Sequence, residues 1–311
     1  LRIMNTRSKI LLTIVSIIFL YAILLIFSDI EKIYDKVIDF KIEFLPIILV
    51  LSPLAWFLVY IRWYLLLQNL DIKIPHKDNF LIFLGSAALG ITPGKVGELL
   101  KSQFFKEKFD VERTKTVPLI FIEKFYDIIS AVIISFFGIW YFQEAAYIII
   151  GATASIVILS ILISSQSTFN KAVRVFGKFS FTKKFLDPLS ESYVYIRKSL
   201  SWKIAILSIS LSIGYWLIVS LIVYFVMLAL SIDPLDFGVL IITYTSSLIL
   251  GAVSFLPGGI GITEGTLVGL FSLQNIEIST AVVLVVFIRI FILWYSVIVG
   301  FISLKISKVF S

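Results

Sequence analysis

The sequence predicts an all-α polytopic membrane protein of about six full transmembrane helices plus two re-entrant Pro-Gly hairpins, set in an inverted-topology repeat. Three observations carry this. The 311-residue chain is 59% hydrophobic and 15% aromatic, with a mean hydropathy of +1.03, more apolar surface than one soluble core can hide. Its apolar runs fall into two classes: those long enough to cross a roughly 30 Å hydrocarbon core, and a shorter one that stops at a Pro-Gly tip. That tip recurs: Thr92-Pro93-Gly94-Lys95-Val96-Gly97-Glu98 is echoed by Leu256-Pro257-Gly258-Gly259-Ile260-Gly261-Ile262-Thr263-Glu264.

Lys and Arg in short loops mark the cytoplasmic side. Residues 10–28, preceded by Arg2, Arg7 and Lys9, form an uncleaved first span leaving the cytoplasm, because no small-residue cleavage site follows. An acid-rich outer loop leads to a second span, 44–67, with Arg62-Trp63-Tyr64 near its inner end as snorkelling and belt residues. Residues 80–92 number only 13, about 20 Å as a helix. Lysines flank both ends of that run, so it reads as a hairpin entering and leaving on the cytoplasmic face. Residues 117–142 then cross outward and 145–165 return. The linker 166–201 is basic, and Phe169, Val173 and Phe176 interleave with Lys171, Arg174 and Lys178 as on an interfacial amphipathic helix. Residues 204–230 leave again and reach Asp233 and Asp236, whereas the last span, 279–304, ends at Lys305 and Lys308 and so finishes inside. Residues 237–278 thus begin and end outside and form the second hairpin, although 237–256 are long enough to span. The whole chain, 1–311, is one transmembrane domain, with 44–142 as one repeat and 204–304 as its inverted copy. Both termini are expected in the cytoplasm.

The chemistry lies in the tips and the spans after them. Aligned on Glu98 and Glu264, the two tips are followed 25 residues later by Glu123 and Arg289, within Phe121-Ile122-Glu123-Lys124-Phe125 and Phe287-Ile288-Arg289-Ile290-Phe291. Paired Gly/Pro-interrupted apolar segments at matching places in two halves are the sequence mark of a transport site at a repeat interface. Non-helical backbone at membrane depth survives only where protein or water satisfies it. Pro93, Gly94, Lys95, Gly97, Glu98, Pro257, Gly258, Gly259, Gly261 and Glu264 are therefore expected to line a cavity, with backbone N–H groups suited to an anion. The competing reading is structural: the Gly90/Gly94, Gly261/Gly265 and Gly265/Gly269 spacings favour close helix packing. Glu123, Lys124, Asp127 and Arg289 lie inside spans, where an isolated charge costs about 2.5–3.5 kcal/mol. They are read as headgroup contacts, or as a salt bridge from Arg289 to Glu123 or Asp127 that locks the halves together.

Composition excludes other classes. The net charge of +7 comes largely from loops between apolar runs, where it sets topology, so nucleic acid is not an expected partner. The chain has no Cys and His76 as its only His, which removes disulfides, thiolate nucleophiles and Cys/His zinc sites. No cofactor, metal or catalytic residue is expected, and no Ser/His/Asp, Walker or dinucleotide pattern is present.

The tip Pro93-Gly94-Lys95-Val96-Gly97-Glu98, the span motif Glu123-Lys124-Phe125-Tyr126-Asp127 and the late Pro257-Gly258-Gly259-Ile260-Gly261-Ile262-Thr263-Glu264 together resemble the lysylphosphatidylglycerol synthase transmembrane family. That is a flippase-like domain found alone or fused to aminoacyl-phospholipid synthases and polyprenyl glycosyltransferases. The chain ends seven residues after Leu304, so it reads as a stand-alone member. The resemblance implies a cell-membrane lipid flippase moving a polar or glycosylated, anionic lipid, such as a polyprenyl-phosphate-linked one, between leaflets. Its partners would be that headgroup and a lipid glycosyltransferase or synthase. The alternative is a membrane-embedded lipid-modifying enzyme or a lipid-presenting subunit of a glycosyltransferase.

Overall fold

A computed structural model describes residues 34, 36–92, 97–136, 146–176, 192–254 and 256–308. The expected first span, 10–28, lies outside these residues. Among the described residues the secondary structure is helical throughout, with no strand. Four helical stretches are long and apolar enough to cross a membrane: Ile42–Asn69, Ala146–Ser164, Trp202–Ala229 and Ile278–Ser307.

The first segment opens with α1 (Leu45–Asn69), which carries Pro in its first turn, where a missing N–H costs nothing. Next come α2 (His76–Ala88), a short 3₁₀ turn at Leu89–Ile91, α3 (Leu100–Phe109) and α4 (Arg113–Phe136). The α2 helix begins four residues earlier than the apolar run, and α4 likewise starts at Arg113 rather than residue 117. Asp110 stops α3 in the left-handed conformation, φ 53°. Its carboxyl, hydrogen-bonded to the Lys106 ammonium, is held below the usual carboxylate range.

After α5 (Ala146–Ser164) the described part of the linker holds α6 (Gln166–Phe176) and α7 (Tyr193–Ser199). The expected amphipathic helix is present, but Phe169 is buried against Tyr193, with ring centroids 5.4 Å apart. That residue of its apolar face packs on protein. The second segment repeats the element order of the first: α8 (Trp202–Ala229), α9 (Phe237–Val253), a 3₁₀ turn at Pro257–Gly259, α10 (Ile262–Leu273), then α11 (Ile278–Arg289) and α12 (Tyr295–Ser307). The last two are joined by a π-helical stretch, Ile290–Trp294. The α9 helix has 17 residues, about 26 Å, and it doubles back against α10.

Packing crosses between the segments. The α1 and α8 helices lie along each other, α2 lies along α12, α4 packs on both α8 and α9, and the two 3₁₀ turns touch. Two of the glycines read as helix-packing positions do not serve that role. Gly265 and Gly269 face open space, whereas a Cβ at Gly300 would meet Ala88 Cβ at 2.5 Å and the Leu84 carbonyl at 2.6 Å. Likewise a Cβ at Gly251 would strike Thr263. The small-residue contacts therefore seal α2 to α12 and close the second hairpin. Large apolar side chains point outward on α1, α5, α8 and α12, among them Tyr147, Ile158, Ile206 and Phe301. This is the pattern of helices solvated by lipid.

Candidate functional site

Each tip is closed by its own chemistry. In the first, the Thr92 hydroxyl donates to the Leu89 carbonyl at 2.9 Å and accepts the Gly97 N–H at 2.6 Å. A Cβ on Gly97 would strike that same carbonyl, so glycine is required for close approach. Pro93, Gly94 and Lys95 lie outside the described residues. In the second tip Gly258, Gly259 and Gly261 all have positive φ, at 59°, 68° and 92°. The Gly259 Cα position lies so near Gly251 that an added Cβ would come within 3.1 Å of the Gly251 Cα. Pro257 opens the 3₁₀ turn.

Glu264, fully buried, accepts the Gly261 N–H at 2.7 Å with one oxygen. Its other oxygen accepts from Arg289 Nε at 2.6 Å, while Arg289 Nη2 donates to the Gly258 carbonyl at 2.8 Å. Arg289 thus ties the last span to the tip of its own hairpin. The sequence expectation that it pairs with Glu123 or Asp127 is corrected. Both hydrogen bonds shown for the guanidinium run to its own tip, one to a carboxylate and one to a carbonyl.

The acids of the first segment have partners that the sequence reading missed. Arg62 is only 2% exposed; it bonds Asp127 and Ser212 and faces Glu123 at 3.8 Å. Its role as a snorkelling residue is corrected. It lies seven residues before the end of α1, about 10 Å, and turns inward to the acids of α4. Lys101, read as a loop residue, is also 2% exposed; it donates to Glu123 at 2.5 Å and lies 3.7 Å from the centre of the Trp63 ring. A signal was present, since Phe104 and Phe105 share its helix face and are themselves buried. Lys124 binds Glu98 at 2.7 Å and approaches Asp127 at 3.9 Å.

The tips do follow one scheme, displaced by a residue. Each tip glutamate holds a cation of the next long helix: Glu264 the one 25 residues on, Arg289, and Glu98 the one 26 on, Lys124. Their environments differ. The Lys124 and Glu98 side chains are 38% and 13% exposed, against 5% and 0% for Arg289 and Glu264.

These groups surround a cavity of about 430 Å³ between the segments, reached by Gly90 and Glu98 from the first hairpin and by Gly258 from the second. Arg62, Lys101, Glu123, Lys124, Asp127 and Arg289 line it, and Trp56, Tyr215, Trp216 and Tyr244 form an aromatic side. Trp216 is fixed by hydrogen bonds from its indole N–H to the Asp127 carbonyl and the Ser130 hydroxyl, at 3.2 and 3.1 Å. The remaining walls are mostly aliphatic, with Phe83 and the serines Ser52, Ser86 and Ser296 among them. Among the described residues no cluster of His, Asp and Glu forms a metal site. The arrangement can hold a charged or polar group of a molecule whose remainder is apolar.

Residues 10–300 match the family model described as the lysylphosphatidylglycerol synthase TM region. Two UPF0104 membrane proteins of Methanocaldococcus jannaschii are similar. One is 26% identical, covering 64% of this chain and 85% of the relative; the other is 23% identical, covering 99% and 97%. A UPF0104 membrane protein of Methanothermobacter thermautotrophicus is 23% identical over 88% of this chain and 85% of its own length. No solved structure matches the chain.

Proposed function

The chain belongs to the lysylphosphatidylglycerol synthase transmembrane family, and from that premise we propose that this multi-pass membrane protein is a lipid flippase. It passes the polar headgroup of an anionic or glycosylated lipid through the central cavity while the tails stay in the bilayer. The observation that carries the reading is the cavity itself. Four cations and four carboxylates, counting Glu264 behind Arg289, converge between two hairpin tips inside a shell of outward apolar side chains. Isolated charges at such depth cost about 2.5–3.5 kcal/mol each, and packing two hairpins together does not require eight of them. A polar passenger does.

On this reading the two segments are inverted copies. Both termini and the 166–201 linker face the cytoplasm, the first hairpin is re-entrant from inside and the second from outside, and both meet near the midplane. Alternating access follows when one hairpin opens its side of the cavity while the other stays shut.

The test is reconstitution into sealed vesicles containing a trace of fluorescent headgroup-labelled phosphatidylglycerol, with an impermeant quencher added outside. The inner-leaflet pool should become quenchable at a rate well above that of protein-free vesicles. Vesicles whose inner pool stays protected would overturn the proposal. Chemical turnover of the labelled lipid by the detergent-solubilised protein would favour the lipid-modifying enzyme instead.

A further inference from the structure

A lipid whose headgroup occupies the cavity brings its tails with it. A space of about 430 Å³ suits a ligand of drug size and is too small for a headgroup together with two long acyl chains. Those chains have to stay among apolar groups, so they leave the cavity between two helices. Several pairs around it pack directly on each other: α1 on α8, α4 on both α8 and α9, α2 on α12. The α1 helix meets the last span differently, at the π-helical stretch and through two side-chain contacts. The Ser52 hydroxyl donates to the Phe291 carbonyl at 3.1 Å, and the ring centroids of Trp56 and Tyr295 lie 5.0 Å apart. From the first contact to the second, both chains advance by four residues, so the two helices run parallel along this seam.

The ring pair sits where cavity and lipid meet. On α1, Trp56 stands between Ser52 and Val59, which line the cavity, and Pro53 and Phe57, which are exposed on the outer face. On the last span, Tyr295 stands between Ile292 and Ser296, which line the cavity, and the exposed Ile298 and Ile302. Both rings are half-buried. Both also lie near the middle of their spans, Ile42–Asn69 and Ile278–Ser307, where the surrounding bilayer is hydrocarbon. Cations flank the pair along the seam. Arg62 comes six residues after Trp56 and Arg289 six residues before Tyr295, each about 9 Å along its helix.

Resting on the flippase reading, we infer that this seam is the acyl-chain port: the tails of a phospholipid lie between α1 and the last span, against Trp56, Val59, Ile292 and Tyr295, while its headgroup moves in the cavity between the levels of Arg62 and Arg289. The Trp56–Tyr295 pair closes the port when no lipid is bound. Ring-on-ring contact is replaced by ring-on-methylene contact of the same kind when a chain enters. Because the Ser52 bond lies one turn away, the rings can part while the helices stay joined.

The test uses the full chain in phosphatidylcholine vesicles with a trace of phosphatidylglycerol that bears a photoreactive diazirine in the middle of one acyl chain. After illumination, adducts are mapped by mass spectrometry of the digested protein. They should concentrate on Trp56, Val59, Ile292 and Tyr295. Excess unlabelled phosphatidylglycerol should lower them several-fold relative to adducts on the outward-facing Ile158, Ile206 and Phe301. Seam adducts that merely follow the outer-face ones would mark ordinary annular lipid and overturn the inference. A diazirine fatty acid, which lacks the phosphate, should show no enrichment in the seam; enrichment equal to that of the phospholipid would make the seam a fatty-acid groove and overturn it as well. Val59→Trp, which fills the seam beside Trp56, should lose the seam adducts and slow the movement of labelled phosphatidylglycerol several-fold. Movement at the parent rate by the folded variant would refute the port. The adduct map is made on the parent protein, so it decides even where that variant fails to fold. Enriched seam adducts without lipid movement refute the flippase and leave the acyl-chain site standing. Lipid movement without seam enrichment refutes the port and leaves the flippase standing.

Discussion

Arg289→Gln tests the second hairpin's lock, and the structure sets its magnitude. The substitution removes the cation from a carboxylate that is 0% exposed and leaves Glu264 with the Gly261 N–H as its remaining described hydrogen bond. Breaking a buried pair from one side costs about 3–5 kcal/mol, which for a chain of this size lowers Tm by roughly 6–10 °C. Glu264→Gln alone strands the guanidinium with only the Gly258 carbonyl, and a comparable loss is expected. The double variant, Arg289→Gln with Glu264→Gln, leaves no lone charge, and a glutamine at 264 can still accept from the Gly261 N–H. Most of the stability should return, giving a coupling energy (the two single losses summed, less that of the double variant) of at least about 4 kcal/mol, the signature of a direct contact. The assay is thermal unfolding in detergent, followed by loss of the monodisperse chromatographic peak at one fixed heating rate, because irreversible unfolding makes Tm rate-dependent. A single variant that loses less than about 2 °C would refute the buried-pair argument, and so would a double variant whose loss equals the sum of the two.

Further expectations follow from the same geometry. Gly97→Val should abolish lipid movement and lower stability by at least about 2 kcal/mol, because the new Cβ strikes the Leu89 carbonyl; an active, stable variant would show that the first tip tolerates opening. Gly258→Ala has room for its methyl but must hold φ at 59°, so it should cost only about 1–2 kcal/mol, and a cost near zero in detergent unfolding would contradict the left-handed turn. Lys101→Met should destabilise by about 3–5 kcal/mol by removing the hydrogen-bonded cation of Glu123 and leaving it with Arg62 at 3.8 Å, and adding Glu123→Gln should recover most of it. Single cysteines at exposed Ser201 and Ser231, in a chain with no native Cys, should react with an impermeant maleimide from opposite sides of the membrane; labelling from the same side would remove the inverted topology.

What the sequence made legible was the periodic and the local. Long apolar runs translate into long apolar helices because a spanning helix must satisfy its backbone internally, so Ile42–Asn69 and Trp202–Ala229 fall close to the runs read for them. Tip glycines were legible because only glycine serves where a Cβ would hit backbone, as at Gly97, or where φ is positive, as at Gly258. Pairing of the buried charges was not legible, for the opposite reason. A long basic side chain looks identical in sequence whether it snorkels to the interface or turns inward to an acid. Arg62 and Lys101 were assigned by their neighbourhood in the chain, whereas their roles are set by Glu123 and Asp127 on a helix many residues away. Glycine spacing failed in the same manner: Gly265 and Gly269 satisfy the pattern yet meet nothing, while Gly300 sits against Leu84 and Ala88.

The one-residue offset between the tips has a functional consequence that identical copies would lack. Had Glu98 been matched by a cation at position 123, as Glu264 is by Arg289, both tips would be locked to the following helix by the same enclosed pair. Instead position 123 carries a glutamate that consumes Lys101 and faces Arg62, and the Glu98 partner moves to Lys124, one residue on. A step of one residue rotates a side chain by about 100° around the helix axis, from the enclosed position of Glu123 to the more exposed one of Lys124. The first tip is therefore tied through a contact that a ligand can reach, and the second through one that it cannot. In a symmetric device substrate would bias both hairpins equally and so bias neither state, since a ligand shifts an equilibrium only by its differential affinity. On the flippase reading the offset supplies that difference, because only the first tip's ion pair is partly open to the cavity.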